Sequence, residues 1–246
     1  MSEQKNGVVC IYYYGRFNVD LTKLRFKYFI PNGKKEGMCN EYYYSEKINL
    51  IYNYIDNKKE EEYKEYHENG QLHKIYNLKN DNGYGIYKDY YEDGKLWQIF
   101  NLQDGKKEGE CKIYNINQIL WKECNYKCDK LEGEDKIYYD NGNLAEICNY
   151  KNNKLNGKYI VYRENGDLCE EFYYKDDKLE EEHKQYYENN KLKSICNYKD
   201  NKKNGLYILY NEDGEINEIY NYKDDLKDDL KNKYIECYKN KKRREE

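Results

Sequence analysis

The chain has 246 residues, with 43 Lys and Arg against 47 Asp and Glu, and its formal net charge of -4 gives no global field to gather nucleic acid or an anionic membrane. Apolar residues make up 38% and charged residues 37%, a balance that would indicate disorder if the aromatic fraction were not 17%. Thirty-four Tyr supply flat amphipathic area suited to half-buried strands, and the single proline, Pro31, leaves nearly every strand N–H free to pair.

Residues 1–7 lack the basic region, apolar core and small-residue cleavage site of a secretory signal. The longest apolar run, from Val8 to Tyr14, is too short for a membrane span, which takes about 20 apolar residues. A cytoplasmic location is the expectation. Residues 1–12 read as an N-terminal edge strand and residues 13–238 as one repeat array. Leu24 and Ile30 fit a degenerate first copy. Residues 239–246 form a charged tail of the kind that discourages further strand addition.

From Gly37 a 24-residue period runs through Glu61, Gly85, Gly109, Gly133, Gly157, Glu181 and Gly205, and Asp229 opens a truncated ninth copy. The sixth position of each copy is Tyr42, Tyr66, Tyr90, Tyr114, Tyr138, Tyr162, Tyr186 and Tyr210. The twelfth is a branched aliphatic, from Ile48 and Leu72 to Leu192 and Ile216, which marks a packed column. The eighteenth is Tyr or Leu throughout, from Tyr54 to Tyr222.

Two kinds of punctuation separate these columns. Asn69-Gly70, Asp93-Gly94, Asn141-Gly142, Asn165-Gly166 and Asp213-Gly214 are tight-turn signals, because these pairs reach positive φ at little cost. Polar segments such as residues 199–204 read as longer return loops. Each copy is then strand, tight turn, strand and polar loop. A lone hairpin is marginally stable, so the copies must stack edge to edge. The predicted fold is all-β: an elongated antiparallel single-sheet array of stacked hairpins, each copy advancing about 10 Å. The Tyr at the third and sixth positions have opposite parity in a strand, which requires either a bulge between them or aromatic side chains on both faces.

The pattern Gly-x-Tyr-x-x-Tyr-Tyr-x-Asn-Gly-x-Leu, then an apolar strand and Lys-Asp-x-Lys-x-Asn-Gly, resembles the MORN repeat in its bacterial variant, as at Gly157 to Leu168 and Gly205 to Ile216. The resemblance runs from about Gly37 to Asp228. Copies at Glu61 and Glu181 lack the leading Gly, and the copy at Gly109 has Gln118 in place of the turn Gly. It implies an elongated antiparallel sheet used for protein or lipid contacts, with the antitoxin of a toxin–antitoxin pair among the family's roles.

Chemistry is sparsely provided. Ser2, Ser45, Ser194 and Thr22 are the only hydroxyl nucleophiles of their type, and no phosphate-cradling Gly motif occurs. His67, His73 and His183 fall at different repeat positions, and His183 stands where four other copies have Tyr, as a packing variant. Nine Cys, an odd and scattered set, read as reduced thiols. Cys124, Cys148 and Cys196 share the sixteenth position as small core residues, about 10 Å apart in neighbouring copies and beyond disulfide reach. Cys124 and Cys128 lack a second ligand pair for a metal. No catalytic, cofactor or metal residue is assigned.

The expected function is therefore non-catalytic binding of another protein, with the antitoxin or immunity partner of a toxin as the specific form. Tyr66, Tyr90, Tyr114, Tyr138, Tyr162, Tyr186 and Tyr210 are the candidate partner-binding residues, since rigid amphipathic rings suit contact hot spots. A carbohydrate or cell-envelope binder and a membrane-surface adaptor are the alternatives.

Overall fold

The computed structural model describes residues 6–14 and 19–228 of the chain. The ninth copy at Asp229 and the charged tail lie outside them. The chain divides into two compact units, one of residues up to 120 together with 126–129, the other of residues 121–125 and those from 130 onward. No helix occurs among the described residues. Within each unit the sheet is antiparallel and strands pair with their neighbours in sequence. In the first unit, for example, Lys58–Tyr66 pairs with Leu72–Lys79, which pairs with Asn82–Tyr90.

The two kinds of connection are the reverse of the sequence expectation. The polar segments hold the tight turns. Lys79 pairs with Asn82 across Asn80 and Asp81, whose φ angles of 51° and 66° are both positive. That is a type I′ turn, whose twist matches the flanking strands. It recurs at Asp56-Asn57, Asp104-Gly105, Cys128-Asp129, Asn152-Asn153, Asp176-Asp177, Asp200-Asn201 and Asp224-Asp225. Residues 202–204, expected in a loop, belong to the strand Lys202–Tyr210. The Asn-Gly pairs lie instead in the wider connections: His67 N donates to Gln71 O at 2.8 Å and Gly70 N to His67 O at 2.8 Å. Gln118 keeps this loop at φ 63°, with Gln118 N to Asn115 O and Asn115 N to Ile119 O both at 2.9 Å.

The leading residue of each copy has a structural task that its position hinted at. Its φ is positive throughout, from 58° at Glu181 to 117° at Gly157. The register skips there, since Lys88 pairs with Ile75 but Tyr84 with Asn77, which is a bulge. A second irregularity sits at the wide connection, where Tyr66 pairs with Leu72 but Glu65 with Lys74. Gly85 to Asp89 pair without a skip with Leu102 to Gln98, and at the wide connection the skipped residue is His73 on the neighbouring strand, so no residue is added between the third and sixth positions. The two Tyr columns therefore stand on opposite faces, which resolves the parity question in favour of aromatic side chains on both.

The third and sixteenth positions interleave into a spine along one face. In the first unit Tyr52, Tyr63, Tyr76, Tyr87 and Phe100 follow one another with centroid separations of 6.0, 4.7, 5.2 and 4.4 Å. Each such pair is worth about 0.5–1.5 kcal/mol beyond its area burial. In the second unit Tyr159, Phe172 and His183 do the same at 5.9 and 4.3 Å, so His183 is the packing variant that its column suggested. Cys124, Cys148 and Cys196 are buried in this spine, as small core residues. The twelfth column is half-buried rather than core, and Ile48 is 38% exposed.

Candidate functional site

Two ladders hold successive copies in fixed register and thereby fix both faces. At the tight turns, Asp81 N donates to Lys59 O at 3.0 Å while Lys59 N donates to Asp81 Oδ1 at 2.8 Å. The same double contact joins Asn57 to Lys35, Asp129 to Lys107, Asn153 to Leu131, Asp177 to Leu155, Asn201 to Leu179 and Asp225 to Lys203. At the wide connections the seventh position reaches the sixth-position carbonyl of the next copy. Tyr43 Oη donates to Tyr66 O at 2.6 Å, Tyr91 Oη to Tyr114 O at 2.8 Å, Tyr139 Oη to Tyr162 O at 2.7 Å and Tyr187 Oη to Tyr210 O at 2.7 Å. His67 and Arg163 make the equivalent contacts to Tyr90 O and Tyr186 O.

The seven candidate Tyr are all half-buried, and within each unit they lie on the face opposite its spine, Tyr66, Tyr90 and Tyr114 in the first and Tyr138, Tyr162, Tyr186 and Tyr210 in the second. Tyr138 Oη donates to Glu123 Oε2 at 3.1 Å and Tyr186 Oη to Glu171 Oε2 at 2.9 Å. By the same register Ile51, Ile75, Ile99, Ile147 and Ile195 occupy the position of Glu123 and Glu171 in other copies, and they too are half-buried. Rails of paired charge run beside this row: Glu62 with Lys64, Glu110 with Lys112 at 2.9 Å, Glu134 with Lys136, and Glu182 with Lys184 at 2.8 Å.

Burial pushes the Tyr186 hydroxyl up to about 12, helped by Glu171, and burial with Glu123 raises Tyr138. Both therefore stay protonated donors at neutral pH. Burial also works against charge on Glu171, but the hydrogen bonds from Lys158 and Tyr186 prevail and hold its carboxyl below the ordinary range. The Tyr138 and Tyr186 hydroxyls are thus committed to Glu123 and Glu171.

The groups that could do chemistry are placed structurally. His73 lies between Glu65 and Asp89, at 3.1 Å from Nδ1 and 3.3 Å from Nε2, and both carboxylates are also engaged, Glu65 by Lys74 and Asp89 by Gln98. Buried Ser194 donates to Gln185 Oε1 at 3.0 Å. Cys124 is buried in the spine, whereas Cys128 is exposed in a turn. Among the described residues no three His, Cys, Asp or Glu gather in an arrangement that could hold a metal.

One layer went unread in the sequence. The twenty-third position, which no sequence motif singled out, places a lysine over the spine rings: Lys59 Nζ is 4.0 Å from the Tyr52 centroid and Lys107 Nζ 4.3 Å from that of Phe100. The recurrence of Lys at Lys35, Lys59, Lys107, Lys203 and Lys227 was the signal available.

The family described as MORN repeat variant matches residues 62–80, 84–104, 131–152, 155–176, 179–200 and 203–224, just over half of the chain. The copy at Gly109, which carries Gln118 at its turn, falls between two matches. No curated protein is matched.

Proposed function

We propose that this chain, which belongs to the MORN repeat variant family, is a protein-binding array whose partner docks on the Tyr faces of its units, Tyr66, Tyr90 and Tyr114 in the first and Tyr138, Tyr162, Tyr186 and Tyr210 in the second. Repeats of this family are commonly non-catalytic modules for protein or membrane contact. The observation that carries the protein reading is the half-buried row of Tyr and Ile bordered by closed Glu–Lys pairs. Rigid aromatic rings dominate binding energy at protein interfaces, and a polar rim surrounds them. Paired rails leave no basic excess to draw acidic lipid headgroups. A toxin held inactive by a cytoplasmic copy of this chain is the narrowest form of the proposal.

Affinity capture of the tagged chain from its native cells, run beside sedimentation with vesicles containing phosphatidylserine, tests it. The proposal expects one protein at stoichiometric recovery and no vesicle binding. Salt-sensitive vesicle binding with no protein recovered would replace it with a membrane adaptor.

A further inference from the structure

The twenty-third position carries lysines that lie over the spine in five copies. Lys35 sits 5.0 Å from the Tyr28 and Tyr54 centroids, Lys203 5.5 Å from Tyr207 and 5.2 Å from Tyr222, and Lys227 3.3 Å from Tyr220. Lys59 and Lys107 do the same to either side of residue 83 in the first unit. Leu131, Leu155 and Leu179 put an apolar side chain at this position. Residue 83 is the exception, a glycine. An open cleft of about 490 Å³ lies there, lined by Tyr76, Tyr87, Phe100, Leu102, Asp81 and Asp129 together with Lys107. One 24-residue step carries Lys59 onto Gly83, and Tyr52 and Tyr63 onto Tyr76 and Tyr87. The rings that receive a lysine ammonium in the preceding copy therefore have none supplied from residue 83.

We propose that the Gly83 cleft is a subsite for a lysine side chain of a protein partner, whose ammonium takes the place over Tyr76 and Tyr87 that Lys59 holds over Tyr52 and Tyr63. Three observations converge on that occupant. The aromatic floor attracts cations through the ring quadrupoles. The lining carries two carboxylates, Asp81 and Asp129, against one ammonium, and Lys107 is already committed over Phe100 and Tyr126. Residue 83 sends no side chain into the cleft, where the adjoining copies carry a lysine, and Leu102 Cδ1 comes within 2.7 Å of where its Cβ would stand. The subsite is on the face opposite Tyr66 and Tyr90, so it stands independently of the docking face proposed above.

The probe is the peptide acetyl-Gly-Gly-Lys-Gly-Gly-amide, compared with the same peptide carrying norleucine, which keeps the alkyl stem and removes the charge. Titration of the full-length, nitrogen-15-labelled chain is followed through the amide resonances of Gly83 and Gly105, which line the cleft. Saturable shifts at both are expected, with the norleucine peptide about tenfold weaker. The Gly83→Lys variant supplies its own ammonium and should abolish the Gly105 shift. A Cβ at residue 83 would lie 2.7 Å from Leu102 Cδ1, so Leu102 must rotate aside. If that variant fails to fold, the two peptides on the native chain decide alone. Equal shifts from both peptides, no shift at the two glycines, or undiminished binding to a folded Gly83→Lys variant would overturn the proposal.

Discussion

Asp81 and Lys59, 22 residues apart, are joined through both backbone polar groups of Lys59: Lys59 N donates to Asp81 Oδ1 at 2.8 Å and Asp81 N to Lys59 O at 3.0 Å. Gly105 stands at the same place in the next copy and makes only the backbone contact, Gly105 N to Gly83 O at 2.8 Å. Gly105→Asn should add the missing bond. Its Cβ would meet Asn82 Oδ1 at 3.7 Å, an ordinary contact, and Asn153 already adopts φ 68° in the equivalent position. A gain of about 1 kcal/mol in urea denaturation is expected.

The bulge at the head of each copy demands a left-handed residue, and Glu61 and Glu181 adopt φ 63° and 58° there without being glycine. That conformation costs a side-chain-bearing residue about 1–2 kcal/mol. Glu61→Gly and Glu181→Gly should therefore each stabilise the chain by about 1 kcal/mol, despite the loss of the exposed Asn53 to Glu61 hydrogen bond at 3.0 Å. Gly205→Ala should do the opposite. Its φ is 110° and its Cβ would lie 3.4 Å from Asn197 Cβ, so a loss of at least about 1 kcal/mol is expected in the same assay.

Asp135 occupies the third position, where other copies place Tyr, Cys or His, and pairs with Lys122 at 2.8 Å. Burial pushes its carboxyl above the ordinary 3.8, against the pull of Lys122. A carboxyl with a raised folded-state pKa binds its proton more tightly folded than unfolded. Its ionisation therefore removes stability as pH rises from the unfolded value through the folded one. The stability of Asp135→Asn relative to the native chain should increase as pH rises above about 4. Denaturation midpoints for both chains across that rise give the sign, and a flat or falling difference refutes the assignment.

Thiol reactivity should follow place in the fold. Cys10 and Cys128 are exposed, while Cys39, Cys111, Cys124, Cys148 and Cys196 are buried. Burial, with Asp135 nearby, pushes the Cys148 thiol up to about 12. Only thiolate attacks, so timed alkylation with peptide mapping should find Cys10 and Cys128 modified first and Cys148 among the last. Early labelling of Cys148 in the native chain would contradict its burial.

The period and the Tyr and Leu columns were legible in the sequence because every copy repeats them in step. The Cys of the sixteenth column and His183 were placed correctly for the same reason. Turn assignment failed because Asn-Gly was given more weight than pairs such as Asn80-Asp81. Asn and Asp also tolerate the left-handed region, and here the Asx-Asx pairs make the two-residue turns. Lys59 and Lys107 belong to no sequence motif, yet both reach over the spine rings, as long basic side chains can. The cleft at Gly83 was invisible for the same reason, since a missing lysine matters only once its neighbours are known to cover rings.

The most direct test of the account replaces Tyr66, Tyr90 and Tyr114 by Ser in the full chain and repeats the capture from native cells, with circular dichroism to show that the sheet is retained. The account predicts that one protein co-purifies at stoichiometric level with the native chain and falls to background with the folded variant. Equal recovery of that protein by both chains would contradict the assignment of the Tyr face as the binding surface.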